Sequence, residues 1–149
     1  MEQPDWMEWV QWAQPVAAPK LVADMSLIPT HPGFYAFTED PAPLRKHHVL
    51  YIGETGMAGG LRARLRSYLR ADPTTTKVRH MGALFILHRR HQNIEARLVD
   101  PAHTGTIYVR WAPLMIARRA RMDIETAMMQ YYECHYNQRQ MKSATPYDT

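Results

Sequence analysis

Two apolar stretches decide the fold of this chain: Gly33-Phe34-Tyr35-Ala36-Phe37-Thr38 and Val49-Leu50-Tyr51-Ile52-Gly53. Each is rich in aromatic or β-branched residues, which pack well on a pleated surface and therefore favour strands. The segment between them contains Asp40-Pro41-Ala42-Pro43, a composition that is typical of a turn. The sequence therefore predicts two neighbouring antiparallel strands.

A glycine-containing connection then leads into a predicted helix over residues 61–71. Leu61, Leu65 and Leu69 fall within one arc of this helix and predict a buried stripe. Two groups of polar side chains flank the stripe. Arg62, Arg66 and Arg70 form a row on a separate face, which is either a solvated surface or a phosphate-binding one, whereas Arg64 and Tyr68 form a pair at the edge of the stripe.

The remaining pattern completes an α+β domain. We predict a second helix over residues 74–87, where the apolar part can also be a strand, and a polar insertion at about 88–106. A third strand over 106–111 and a long helix over 117–135 follow. The order strand, strand, helix, helix, strand, helix predicts a small three-stranded, mostly antiparallel sheet that is flanked by helices.

The domain is predicted to cover residues 31–138, with an N-terminal helical extension over 1–30 and a C-terminal tail over 139–149. In the extension, Trp6, Trp9 and Trp12 lie on a predicted helix over 5–13, before a Pro- and Ala-rich link from Pro15 to Pro19. Tryptophans in such a helix serve either to stack on bases or to pack against the domain. Packing is the more common use, and we favour it.

The length, the net charge and the cysteine content of the chain limit the classes of function that fit it. A chain of 149 residues is about one domain long, and the formal charge of +4 with a sequence pI near 9.4 favours a polyanionic partner. Without an apolar run of 18 residues, the sequence predicts no membrane span. Cys134 is the single cysteine, which excludes an intramolecular disulfide and fits the reducing cytoplasm, so we expect a cytoplasmic protein.

The two strands also carry a motif. Gly33-Phe34-Tyr35 followed by Tyr51-Ile52-Gly53 resembles the two-strand signature of the GIY-YIG nucleases. The helix sequence Leu61-Arg62-Ala63-Arg64-Leu65-Arg66-Ser67-Tyr68-Leu69 resembles the first helix of the nuclease domain in excision-repair incision enzymes. Glu125 in the last helix and Asn137, twelve residues later, match the metal-binding glutamate and the downstream asparagine of that family. The resemblance extends over about residues 32–137.

The resemblance implies a GIY-YIG fold and a metal-dependent DNA endonuclease that hydrolyses phosphodiester bonds. It implies an active site formed by Tyr35, Tyr51, Arg64, Tyr68, Glu125 and Asn137. Glu125 would hold Mg²⁺ or Mn²⁺, since magnesium needs few protein ligands. We hypothesise that Tyr35 is the general base, with its pKa lowered by a neighbouring cation such as Arg64 or the metal, and that Tyr51 and Tyr68 orient water or phosphate.

The DNA contacts and the biological role stay open. Candidate DNA-binding residues are Arg62, Arg66, Arg70, Arg89 and Arg90. Sequence specificity would come from the N-terminal helix, the insertion or a second subunit in a homodimer. The alternatives are a compact restriction-type enzyme, a structure- or damage-directed repair nuclease, a mobile-element nuclease, and a non-catalytic nucleic-acid-binding domain on the same fold.

Residues outside the motif raise three further questions about the site: a possible zinc site, the charge at position 54 and the orientation of the last helix. His80, His88 and His91 suggest a zinc site, but structural zinc usually has cysteine among four ligands, so we disfavour it. Glu54 stands where some family members carry lysine, which makes the charge of the site uncertain. In the last helix we expect the core face to comprise Ile116, Ala120, Ile124, Ala127, Tyr131 and Cys134. Glu125 lies off that face, where it either projects into a cleft or pairs in solvent with Arg121, and with the rest of the motif present we favour the cleft.

Overall fold

The computed structural model describes residues 4–69 and 107–134. The strands in these ranges are β1 (Val16–Ala17), β2 (Gly33–Thr38), β3 (Tyr51–Thr55) and β4 (Tyr108–Pro113). The helices are α1 (Ala18–Ala23), α2 (Gly60–Leu69) and α3 (Arg118–Tyr132), with short 3-10 helices at Asp5–Glu8 and Met25–Leu27. The predicted α+β class is confirmed.

Several predicted features lie outside the described residues. They are the second helix over 74–87, the insertion over 88–106 and the C-terminal tail over 139–149, together with Arg70, Arg89, Arg90, Asn137, His80, His88 and His91. Among the helices that are described, none is both long enough and apolar enough to cross a membrane.

The four strands form one antiparallel sheet in the order β1-β4-β2-β3. Tyr35 lies at the centre of β2, opposite Gly53 on one side and Trp111 on the other. This order makes β3 an edge strand in the described part of the sheet. α3 packs against β3, and its residue Glu125 lies near enough to Tyr35 of β2 to act on the pKa of that tyrosine.

The structure differs from the prediction at residues 5–19, because the sheet has a fourth strand there and the predicted helix over 5–13 is shorter. The helix is limited to Asp5–Glu8, and the expected link from Pro15 to Pro19 contains β1 and the start of α1. Contacts distant in sequence explain the difference. The Ala13 amide donates a hydrogen bond to the Trp111 carbonyl at 2.8 Å, and Val16 pairs with Val109, so β4 holds this segment extended.

Each face of the sheet buries its own apolar cluster. One face packs on α2 and α1, and its cluster comprises Tyr35, Phe37, Val109 and Trp111 with Leu21, Leu61, Leu65, Tyr68 and Leu69. The other face packs on α3, and its cluster comprises Phe34, Ala36, Ile52 and Ala112 with Met128, Tyr132 and Cys134. The predicted leucine stripe of α2 is thus confirmed as core.

The predicted core face of α3 was wrong in part. Cys134 is buried as expected, and Ile124 and Tyr131 pack partly against the core, but Ala120 is exposed. The buried side chains of the helix are Arg121, Met128 and Tyr132, and at about 100° per residue the centre of this stripe is rotated by about 110° from the expected one. The apolar pattern of the sequence places arginine on the solvent side of a helix and therefore does not predict a buried Arg121.

Candidate active site

Tyr35 is the central side chain of the candidate site. It points from β2 toward α2, is 1% exposed, and its hydroxyl lies 3.1 Å from the hydroxyl of Tyr68. Gly53, opposite Tyr35 on β3, has no side chain, and a Cβ there would overlap the Tyr35 phenol. The two signature triplets are therefore linked physically, since the glycine of one makes room for the tyrosine of the other.

Tyr51 and Tyr68 complete a cluster of three tyrosines around that position. The ring centroid of Tyr35 lies 6.4 Å from that of Tyr51 and 5.6 Å from that of Tyr68, and the Tyr51 hydroxyl also interacts with Tyr68. Two of the rings come from adjacent strands and the third comes from α2. Tyr51, on β3, is the half-buried member of the cluster, whereas Tyr35 and Tyr68 are each 1% exposed.

Burial raises the pKa of all three tyrosines. The pKa of Tyr35 rises to about 12, mainly because burial penalises the phenolate, and those of Tyr51 and Tyr68 are also raised by burial. Arg64 acts in the opposite direction on each phenol, but its effect is smaller than that of burial. Arg64 therefore acts on the Tyr35 pKa in the expected direction, but burial outweighs it, so the pKa of Tyr35 is raised and not lowered in the protein without a bound cation.

Arg64 connects the tyrosines to the acidic part of the site. This half-buried residue of α2 hydrogen-bonds through its side chain to Tyr35, and its charge lowers the pKa of both Tyr35 and Glu125. A guanidinium offers several donors in a fixed plane and stays charged at any physiological pH. The Arg64 guanidinium thus lies between a phenol and a carboxyl group.

Glu125 approaches the same place from α3. Burial, followed by the charge of Glu54, raises the pKa of the Glu125 carboxyl to about 7, while the Glu54 backbone amide, Arg64 and Arg121 act in the lowering direction. Its charge also raises the pKa values of Tyr35 and Tyr51. The five predicted site residues within the described ranges, namely Tyr35, Tyr51, Arg64, Tyr68 and Glu125, therefore lie together.

Arg121 is a residue of this region that sequence reasoning did not assign to the site and considered only as an alternative partner of Glu125. Its Nε donates to Glu54 Oε2 at 2.6 Å, so its partner is Glu54 on β3 and not Glu125 on its own helix. The side chains of Arg121 and Glu54 are 6% and 17% exposed. One feature of the sequence could have assigned Arg121 to this region. It lies four residues before Glu125, and this spacing places both residues on one face of the helix.

The predicted arginine row of α2 divides into two kinds of residue. Arg62 donates from Nε to the Ile28 carbonyl at 2.8 Å and from Nη2 to the Ser26 carbonyl at 3.3 Å, so it ties α2 to the preceding loop. Arg66 is exposed. Of the five candidate DNA-binding arginines, only Arg66 therefore presents a solvent-facing side chain within the described ranges.

The donor atoms of the site suit a hard cation with few protein ligands. Carboxylate and phenol oxygens lie at the centre, and the Glu54 carboxylate, although paired with Arg121, is near enough to raise the pKa of Glu125. Within residues 4–69 and 107–134, no group of three or more His, Cys, Asp or Glu side chains is positioned to hold a metal ion. Magnesium commonly takes one or two carboxylates and keeps several waters, so these residues fit it.

Comparison with known proteins adds no relative: no protein-family model matches the chain, and no curated protein is significantly similar to it in sequence.

Proposed function

We propose that this chain is a GIY-YIG-type endonuclease that hydrolyses DNA phosphodiester bonds with the help of a divalent cation. The observation that carries the proposal is the meeting of Tyr35, Arg64 and Glu125, which come from three separate elements, beside one edge strand. A carboxylate, a permanent cation and several hydroxyl groups are the groups that phosphodiester hydrolysis requires. The sequence motif supports the same assignment independently.

Each residue has a proposed task at the phosphate. Arg64 donates hydrogen bonds to the non-bridging oxygens and offsets the charge that develops on them. Tyr35 orients the attacking water through its hydroxyl, and Tyr68 holds that hydroxyl in place. Because the resting phenols are neutral at physiological pH, we assign them to hydrogen bonding in the free protein. Asn137, outside the described residues, stays a proposed site residue.

Glu125 is the residue that would hold the cation, Mg²⁺ or Mn²⁺. A bound cation supplies charge stabilisation of the phosphoryl group and lowers the pKa of a coordinated water. Glu125 can do so while Arg64 faces the phosphate, since the two groups lie next to each other in the site. We also propose that the protein acts in the cytoplasm, where its single cysteine stays reduced.

Cleavage of supercoiled plasmid tests this function. We expect wild-type protein to convert the plasmid with Mg²⁺ and not with EDTA, and we expect Glu125→Ala to lower the rate by at least about 100-fold. Discrete linear fragments would favour a restriction-type enzyme, which can act as a homodimer, and nicked circles would favour a repair or mobile-element nuclease. Equal behaviour of wild type and Glu125→Ala, with DNA binding retained, would indicate a non-catalytic binder.

A second substitution tests the tyrosine assignment in the same assay. Tyr35→Phe removes one hydroxyl and keeps the buried ring, so we expect turnover to fall by about 10- to 100-fold with little loss of plasmid binding. Tyr131→Phe is the matched control, because Tyr131 packs against Trp6 at the other end of α3. Full turnover in Tyr35→Phe would remove Tyr35 from the proposed site.

A further inference from the structure

Arg121 is a buried charge for which the proposed chemistry has no direct use. Its Nε donates to Glu54 Oε2 at 2.6 Å and its Nη1 donates to the Ile116 carbonyl at 3.1 Å. Gly56 covers the group from the loop after β3, where a Cβ would lie 2.8 Å from Arg121 Cζ. A guanidinium enclosed in this way contacts protein on several sides, so it is not placed to bind a DNA phosphate.

Glu54 is the common anchor of Arg121 and Glu125. Its carboxylate accepts from Arg121, and its backbone amide donates a hydrogen bond to Glu125. Arg121 and Glu125 are one turn apart on the same face of α3, and Glu54 follows Gly53, which packs on Tyr35. One residue of the edge strand therefore contacts both the candidate metal ligand and the ion pair beside it.

The buried face of α3 combines the charged Arg121 with Met128 and Tyr132. At about 100° per residue, Ile124, Ala127 and Tyr131 lie about 60°, 120° and 80° from the centre of that face, so hydrophobicity alone favours a rotation toward them. Burying a guanidinium is unfavourable unless a carboxylate and other acceptors satisfy it. At the observed rotation the Glu54 carboxylate, which comes from β3, and the Ile116 carbonyl satisfy it, and Glu125 lies near Arg64 at the same rotation.

We propose that Glu54 and Arg121 are positioning residues whose ion pair fixes the rotation of α3 against β3 and so holds Glu125 at the metal site. The inference rests on the proposed nuclease function and adds two residues to it. It gives Arg121 no contact with substrate. It also explains the acidic residue after Gly53, because Glu54 is the partner that a buried arginine at position 121 requires.

The affinity for Mn²⁺ alone, measured by electron paramagnetic resonance on the DNA-free protein, tests the inference. Simple electrostatics predicts that Arg121→Met binds Mn²⁺ more tightly, because a cation near the site is removed. Positioning predicts the opposite, a loss of about 10-fold, as is typical when a residue that orients a metal ligand is removed. Arg119→Met is the matched control, since Arg119 lies in the same first turn but is 89% exposed.

Arg121→Lys is the second variant in case Arg121→Met does not fold. Lysine keeps the charge and loses the forked geometry that reaches both Glu54 and Ile116, so positioning predicts weaker Mn²⁺ binding, by about threefold or more, and electrostatics predicts no change. Circular dichroism verifies folding of each variant. Wild-type affinity in both variants, or tighter binding in Arg121→Met, would overturn the inference while the plasmid result stands.

The same measurements separate the two proposals. A wild-type protein that neither binds Mn²⁺ nor cuts plasmid would overturn the proposed function and, with it, the positioning role that depends on it. A wild-type protein that binds Mn²⁺ without cutting would overturn only the nuclease activity. In that case the loss of affinity in Arg121→Met and Arg121→Lys still reports the positioning of Glu125.

Discussion

At the scale of single residues, Glu125 has opposing effects on stability and on the proposed function. A half-buried carboxyl group beside Glu54 is favourable for a cation and unfavourable for the metal-free fold. Its pKa is about 7 in the folded protein, above the ordinary value of 4.5. The stabilising contribution of the protonated carboxyl is therefore complete below about pH 4.5 and is lost as the pH rises through about 7.

We accordingly predict that Glu125→Gln stabilises the metal-free protein at alkaline pH. With EDTA at pH 8, the free energy of unfolding should rise by up to about 3 kcal/mol, because an amide is buried in place of a charge. At pH 5 the gain should shrink below about 1 kcal/mol, since the wild-type carboxyl is then protonated in the fold. Urea unfolding at both pH values measures the difference.

Asp123→Asn is the control for this prediction. Asp123 lies on the same helix with a side chain that is 72% exposed, so its stability should change little between the two pH values. Destabilisation of Glu125→Gln at pH 8 would mean that the carboxylate gains more from Arg64 and Arg121 than it loses by burial.

At the scale of elements, the N-terminal segment is a structural part of the sheet. β1 extends the sheet beyond β4, and Trp6 packs at 5.6 Å from Tyr131 and 5.9 Å from Tyr132, measured between ring centroids. This aromatic contact holds the last turn of α3. The segment therefore supports the same helix that carries Glu125, although it lies far from the candidate site along the sequence.

Two tryptophans of that segment allow a matched test. We predict that Trp6→Ala lowers the free energy of unfolding by about 2–4 kcal/mol, because the packed indole leaves a cavity beside Tyr131 and Tyr132. Trp9→Ala should change stability by less than about 0.5 kcal/mol, as the Trp9 side chain is 57% exposed. Guanidinium unfolding measures both. Equal effects would show that the aromatic contact does not hold α3.

At the scale of the whole molecule, the arginines differ in whether their guanidinium groups are free to contact DNA. Some donate hydrogen bonds within the fold, and others face solvent. The formal charge is +4, yet Arg62 and Arg121 donate to acceptors within the described fold. Arg66, by contrast, lies exposed on α2, one helical position after Leu65. The net charge of the chain therefore says less about DNA binding than the positions of its individual guanidinium groups.

This distribution predicts different salt effects for two neighbouring substitutions. For binding to a duplex oligonucleotide in EDTA, Arg66→Ala should reduce the slope of log K against log salt by about 0.9, the effect of one lost phosphate contact. Arg62→Ala should leave the slope unchanged and destabilise the fold by about 1–3 kcal/mol, because it removes a charged donor from two carbonyls. Fluorescence anisotropy at several salt concentrations measures the slope. A lower slope of log K against log salt in Arg62→Ala would show that Arg62 contacts a DNA phosphate.

Local patterns were enough to predict much of the frame. The aromatic strand Gly33–Thr38, the strand around Tyr51 and the leucine stripe of α2 depend on residues that are close in sequence, and periodicity reports such contacts directly. The two signature triplets also predicted that Tyr35 and Tyr51 lie close together, and their ring centroids are 6.4 Å apart.

Only the tertiary structure decided the remaining features, because each depends on a partner far away in the chain. Val16–Ala17 is a strand since β4 lies beside it, and Arg121 is buried since Glu54 comes from a different element. The same ion pair sets the rotation of α3 that brings Glu125 to Arg64. A sequence pattern records the polarity of each residue, whereas the environment of a buried charge depends on which distant acceptor folding brings to it.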